Sequence, residues 1–341
     1  MRSRALVVPR SQGEAIRRSL RLAGLLRSDL EIVRTEDEIT FPVRDVGDIP
    51  AAWGTISERD FPTLEGSGPT DYRELLELSA EERALLPRAF DVVGDIVVIR
   101  LPDELTARAL AIGEALLAFV PGARVVGVDT GVHGPERTRR LERIAGSGPW
   151  TTRHRENGIA LDVDLTRAYF SPRLAREHAR VAAEVRTGER VYDLCCGIGP
   201  FSLTIARDGR AREITAVDAN PIAIALLRGS AGRQRFPTPI RAIEGRVEEF
   251  VSSAGPADRI ILNLPHAGIK YLPSVARTLA PGGRLHYYEV TSRAEYQERG
   301  TGVTHLLDTP GSWTIVDRHV VHPYSPTSDL VAFVLERSAG A

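Results

Sequence analysis

Two carboxylates bracket a pair of glycines in the second half of the chain. Asp193 opens DLCCGIGPF (193–201), which carries Gly197 and Gly199, and Asp218 closes EITAVD (213–218), 21 residues after Gly197. Glycine lets a backbone bend and approach a ligand without a Cβ clash, and the start of the helix that follows favours an anionic group. A carboxylate at the end of the next strand can accept both hydroxyls of a ribose. The spacing predicts a pocket for a nucleoside-bearing ligand. It is not the dinucleotide fingerprint, because that pattern wants a third glycine where this chain has Ser202 and makes no use of an acid at Asp193. A third group stands in NLP (263–265). Asn263 and a neighbouring backbone carbonyl can hydrogen-bond an amide or amidine edge and aim a ring nitrogen for in-line attack.

These groups need elements to hold them. Strand-like VYDLCC (191–196), EITAVD (213–218), PIRAIEG (239–245), DRIILNLP (258–265) and GGRLHYYEV (282–290) alternate with helical stretches at 200–208, 221–233 and 266–280. Such alternation predicts an α/β domain over 151–341, a doubly wound Rossmann-like sheet with its ligand at the carboxyl ends of the strands. Two smaller α+β domains are expected before it. One, at 1–65, combines a strand ALVVP (5–9), a helix over 13–26 and a hairpin over 29–43; the other, at 66–150, contains helical DYRELLELSAEERALLP, a strand FDVVGDIVVIRLP (90–102), a second helix and a strand at 123–130. The Gly/Pro/Ser/Thr-rich stretch 61–72 is the linker candidate between them.

With 341 residues, 43% of them hydrophobic, the chain can bury several cores. No apolar run is long enough to span a membrane and MRSRALVVPR lacks a secretory signal, so a cytoplasmic protein is expected. Cys195 and Cys196 are adjacent, too close for an unstrained disulfide and too few for structural zinc, and they read as small packing residues with no metal site. A net charge of −1 excludes a generally basic surface, so a nucleic-acid partner would meet a local patch. Of the 44 basic residues one is lysine, Lys270, and the rest are arginine. Arginine's planar fork suits phosphates and base edges.

Asp-x-x-x-Gly-x-Gly followed by a ribose acid is similar to the S-adenosylmethionine site of class I methyltransferases. Beyond it, FDVVGDI (90–96), TRHRENG (152–158), AYFSPRL (168–174), CGIGPFS (196–202), DANP (218–221), NLP (263–265), GGRLHYY (282–288) and HPYSP (322–326) occur in one order. In this the chain resembles the archaeal and eukaryotic tRNA (guanine-N1)-methyltransferases that modify guanosine 37, over nearly its whole length. The resemblance implies S-adenosylmethionine as cofactor and tRNA as partner, a monomer, and a first domain that grips the tRNA by shape while the flipped guanosine enters the pocket. It assigns the cofactor to Asp193, Gly197, Gly199 and Phe201 of the loop, Asp218 and Asn220 after it, and Asn263 with Pro265. Glu177 would be the general base for the N1 proton and Arg137 would stabilise charge developing on O6. Asn263 would position the base edge, and Tyr169 would pack against the substrate or the helix of Glu177.

Two departures stand out. Cys195-Cys196 replaces the family's Phe-Ala, and Arg246 in EGRVEEF (244–250) occupies the place of an aspartate that receives the adenine amino group, so Glu244, Glu248 or backbone groups must substitute. Without the family pattern, Arg173 and Glu177 would form an ordinary surface i,i+4 pair. The alternatives are a same-scaffold enzyme that methylates a small molecule or protein, an aminocarboxypropyl transferase of wybutosine-type tRNA modification, and a non-catalytic RNA-binding protein. NLP argues against the transferase, and the joint presence of Glu177, Asn263 and Asp218 against the non-catalytic protein.

Overall fold

The N-terminal run RSRALVVP alternates apolar and polar residues and forms β1 (Arg2–Pro9), with Ala5, Leu6 and Val8 buried. The structure, a computed structural model, describes all residues except 23–24, 28, 45–48, 64–68, 135–137, 306, 308–312 and 340–341. Part of the proposed linker therefore lies outside the described residues. Helix α1 (Gly13–Leu22) sets Ile16 and Leu20, four residues apart, into one core with Leu6, Val8 and Phe41. The expected hairpin is present as β2 (Val33–Arg34) and β3 (Glu38–Pro42). A further strand, β4 (Thr55–Asp60), pairs antiparallel with β1 and completes a sheet of order β2-β3-β1-β4. Its sequence TISERD is almost wholly exposed, so no apolar alternation announced it. The helix expected through 71–87 is only a single 3₁₀ turn, Tyr72–Leu75, and α2 (Ala80–Leu85). Ser79 and Glu82 form a capping box that begins a new helix in mid-run.

The chain divides into two compact units, Met1–Leu86 with Glu114–Pro121, and Pro87–Gly113 with Gly122–Ala341. In the second, FDVVGDIVVIRLP is a hairpin rather than one strand: β5 (Asp91–Val93) and β6 (Ile96–Ile99) turn at Gly94, whose φ is +57°. After α3 (Ala109–Phe119) come β7 (Val125–His133) and β8 (Thr138–Gly146), giving a sheet β5-β6-β7-β8. A separate hairpin, β9 (Thr151–Glu156) and β10 (Ile159–Asp164), turns at Asn157-Gly158, both with positive φ.

Helix α4 (Ala175–Glu184) leads into the expected alternation: β11 (Arg190–Leu194), α5 (Pro200–Asp208), β12 (Glu213–Asp218), α6 (Pro221–Gly232), β13 (Ile240–Glu244), α7 (Val247–Ser253), β14 (Ala257–Leu262), α8 (Leu272–Arg277) and β15 (Leu279–Ser292). Helix α9 (Tyr296–His305) and an antiparallel pair, β16 (Trp313–Pro323) and β17 (Ser328–Arg337), close the chain. The sheet has seven strands in the order β13-β12-β11-β14-β15-β17-β16, with the first five parallel. Tyr192, Leu194 and Leu262 pack on Leu272 and Val275 of α8 on one face; Val191, Ile214 and Ile261 pack on Val181 of α4 and Phe201 and Ile205 of α5 on the other. Burial on both faces explains why the central strands read as continuous apolar runs.

Candidate cofactor and substrate site

At the carboxyl end of β11 the backbone turns sharply. Cys195 has φ +61°, Gly197 φ +55° and Gly199 φ +78°, and Gly199 caps α5 in the left-handed conformation. A Cβ on Gly199 would strike Leu227 at 2.3 Å, so this position requires glycine for space as well as for φ. Asp218, at the end of β12, ties the neighbouring loops together: its Oδ2 accepts from the Gly197 N–H at 2.7 Å and its Oδ1 from the Asn220 N–H at 2.8 Å. A carboxylate oxygen can accept more than one hydrogen bond, so this placement does not by itself close Asp218 to a ligand hydroxyl.

The loop opens on a cavity of about 580 Å³, within the usual range for a small-molecule site. Tyr169, Gly197, Phe201, Asp218, Asn220, Asn263 and Pro265 all line it. The buried Oδ1 of Asn263 has no hydrogen-bond partner among the described residues, and an orphaned acceptor on a cavity wall fits a ligand that donates. Tyr169 is 42% exposed. Asn220 touches the cavity, but its side chain serves α6: Oδ1 accepts from the Ile222 N–H at 3.0 Å and Nδ2 donates to the Arg167 carbonyl at 2.8 Å.

Gly199 and Asp193 are not on the wall. Asp193 is fully buried, and its Oδ2 accepts from the Ser202 N–H at 3.2 Å and hydroxyl at 2.6 Å, pinning the first turn of α5. Burial pushes its carboxyl up to about 7, against the pull of the Ser202 bonds.

Glu177 also stands off the wall. Its carboxylate accepts from Arg180 Nε and Nη2 at 2.9 and 2.7 Å, from the Tyr288 hydroxyl at 2.6 Å and lies 3.0 Å from His319 Nε2. Burial pushes its pKa upward, but the bonds from Arg180, His319 and Tyr288 outweigh that and hold the carboxyl well below its usual range. The i,i+4 pair with Arg173 does not form; Arg173 Nε instead donates to Asp91 at 2.8 Å. Arg137 lies outside the described residues.

Gly245, Arg246, Val247 and Glu248 also line the wall, with Arg246 and Glu248 3.8 Å apart. Of the two candidate carboxylates, Glu248 lines the cavity and Glu244 does not. Burial, with nearby Asp218 and Asp193, pushes the Cys195 thiol up to about 12, as expected of a packing residue rather than a nucleophile. Three wall residues escaped the sequence reading. His178 follows Glu177 on α4; His266, directly after NLP, is 3.1 Å from the Tyr324 hydroxyl of HPYSP; and Lys270 places its ammonium 4.6 Å from the Tyr271 ring. The position of His266 beside NLP was the available signal; for His178 none was local.

Residues 152–303 match the TRM5/TYW2 methyltransferase domain, and residues 72–149 match the TYW2 N-terminal domain. The tRNA (guanine(37)-N(1))-methyltransferase Trm5b of Pyrococcus abyssi is 35% identical over 289 residues, 83% of each chain. This chain belongs to the tRNA (guanine(37)-N(1))-methyltransferase family. The crystal structure of the Pyrococcus abyssi Trm5b aligns with a TM-score of 0.74 at 31% identity, covering 98% of this chain and 99% of that one. A structure of an aTrm5 in complex with tRNALeu aligns at 0.69 and 25% identity, again over 98% and 99%. The parallel sheet with its glycine loop is the Rossmann-like methyltransferase domain of this family, whose cofactor is S-adenosylmethionine. Among the described residues no helix is long and apolar enough to cross a membrane.

Proposed function

We propose that this chain transfers the methyl group of S-adenosylmethionine to N1 of guanosine 37 in tRNA. The observation that carries the reading is one cavity holding both the Asp218–Gly197 loop and the orphaned Asn263 Oδ1, in a chain of this family. When bound, the cofactor supplies a methyl group activated on a sulfonium. Asp218 would accept the ribose hydroxyls, and Glu248, which lines the cavity, would receive the adenine amino group. Asn263 Oδ1 would accept from the guanine edge and fix the ring nitrogen in line, while Tyr169 at the mouth would pack on the base.

Neutral guanine N1 carries a proton and has no free lone pair, so that proton must leave as the methyl arrives. Glu177 is the proposed acceptor and Arg137 the proposed cation at O6. Because Arg180 forks the Glu177 carboxylate, this reading requires the fork to open when the guanosine enters. We further assign tRNA gripping to residues 1–65, a middle domain to 66–150 and the chemistry to 151–341, in a cytoplasmic monomer.

The test is incubation of the purified chain with labelled S-adenosylmethionine and unmodified tRNA transcripts, followed by nucleoside analysis. The expected product is 1-methylguanosine, absent when position 37 is adenosine. An aminocarboxypropyl nucleoside, or labelled protein instead of tRNA, would overturn the reading.

A further inference from the structure

Buried Glu156 and His178, with half-buried His154 beside them, form a polar cluster to which the mechanism above gives no task. Glu156 ends β9, and its Oε1 lies 2.6 Å from His178 Nδ1. Its Oε2 lies 3.7 Å from His154 Nε2. The Gly94 N–H donates to His154 Nδ1 at 3.2 Å, so the proton of a neutral His154 sits on Nε2, towards the carboxylate. Burial pushes the Glu156 carboxyl up, but the bond from His178 and the nearby His154 ring prevail and bring it down to about 2, although Oε2 itself has no hydrogen-bond partner among the described residues. Glu156 is therefore an ionised, acceptor-only group, and His178 must carry its proton on Nδ1. In the neutral ring the lone pair then lies on Nε2.

That Nε2 is buried and has no hydrogen-bond partner among the described residues, although His178 is 1% exposed and lines the cavity. Buried acceptors in native proteins are matched by donors, which here would come from the cavity. Position indicates which donor. His178 shares its part of the wall with Pro200 and Phe201, the first turn of α5 directly after the glycine loop, and the Phe201 ring meets its ring edge-on at 4.5 Å. The ribose and adenine ends would be marked by Asp218, at the end of β12, and Glu248, in the first turn of α7. With the ring neutral, the Glu156–His178 pair would carry one negative charge, which suits a cationic donor.

We infer that His178, oriented by Glu156, accepts a hydrogen bond from the α-ammonium group on the methionine arm of the cofactor. The inference rests on the cofactor reading above, and the probes separate the two. S-adenosylhomocysteine carries the aminocarboxylate arm; 5′-methylthioadenosine has the same adenosine end without it.

Calorimetry on the full chain would compare both compounds in the wild type, in H178L and in E156Q. H178L should weaken S-adenosylhomocysteine by roughly tenfold, the effect of one charge-assisted bond, while 5′-methylthioadenosine changes by less than about twofold. E156Q should show the same selective loss, because a glutamine can donate to Nδ1 and drive the ring proton to Nε2. If both compounds weaken by one factor, or neither weakens, His178 does not hold the arm. Should H178L fail to fold, E156Q decides: a wild-type ratio of the two affinities overturns the inference. A wild type that binds neither compound overturns the cofactor reading itself, and this inference with it.

Discussion

Replacing Glu177 by glutamine tests the proton acceptor, and the structure shows that the result must be read against stability. The buried carboxylate accepts two bonds from half-buried Arg180 and one from buried Tyr288, with half-buried His319 beside it. Glutamine keeps the shape but removes the charge, and breaking a buried ion pair costs about 3–5 kcal/mol. At about 2–4 °C per kcal/mol, E177Q should melt roughly 6–20 °C below the wild type. If Glu177 is the base, single-turnover methyl transfer at saturating tRNA and cofactor should also fall roughly a hundredfold to ten-thousandfold at a temperature where the variant remains folded. R180M separates the two effects. It breaks the same ion pair and should melt comparably low, yet it leaves the carboxylate in place and frees it from the group that most strongly holds its pKa down. The wild-type Glu177 is ionised across the accessible pH range; in R180M its pKa rises, so transfer should stay within about tenfold of wild type at pH 8 and decline as pH falls through the new value. Labelled-methyl incorporation with enzyme in excess measures both. Full transfer by E177Q would place the base elsewhere, and an R180M variant as slow as E177Q at every pH would mean that the pair only holds α4.

Asp218→Ala should weaken cofactor binding at least about tenfold by calorimetry, since it removes the ribose acceptor and the group that shapes the Gly197 turn; unchanged affinity would move the site. Replacing both Cys195 and Cys196 by alanine should leave turnover within about threefold, because thiols with raised pKa values are not nucleophiles; loss of activity would reveal a reactive thiol. Asn263→Leu fills a similar space without the orphaned acceptor, and should lower single-turnover transfer by roughly tenfold or more; full transfer would show that the orphaned acceptor plays no part. For Glu156, whose folded pKa lies below the unfolded value near 4.3, the stabilising contribution is complete above pH ~5 and disappears as pH falls towards 2. The stability gap between wild type and E156Q, from urea titrations, should accordingly be flat above pH ~5 and narrow below it; a constant gap down to pH 3 would show that Glu156 is not ionised by its histidines.

Much of the site could be read in the sequence because its chemistry is local to strand ends. In a parallel sheet the residues after each strand converge on one edge, so Gly197, Asp218 and Asn263, distant in the chain, meet through topology that the β/α alternation already implies. Other features depend on pairings that no spacing encodes. Arg173 and Glu177 stand at helical i,i+4 positions, yet Arg173 reaches Asp91, 82 residues away, while Glu177 takes Arg180 three residues on. Local spacing made the pair possible; the placement of β5 removed it. TISERD pairs as a strand because β1 has a free edge, although its own residues carry no amphipathic signal. Asn-Gly at 157–158 was the missed short-range clue. With both residues at positive φ, it folds β9 against β10, and the carboxylate just before the turn, Glu156, then reaches His178 on α4. The turn is thus part of what brings His178 under the control of a charge 22 residues upstream, a pairing that only the packing of α4 against the hairpin completes.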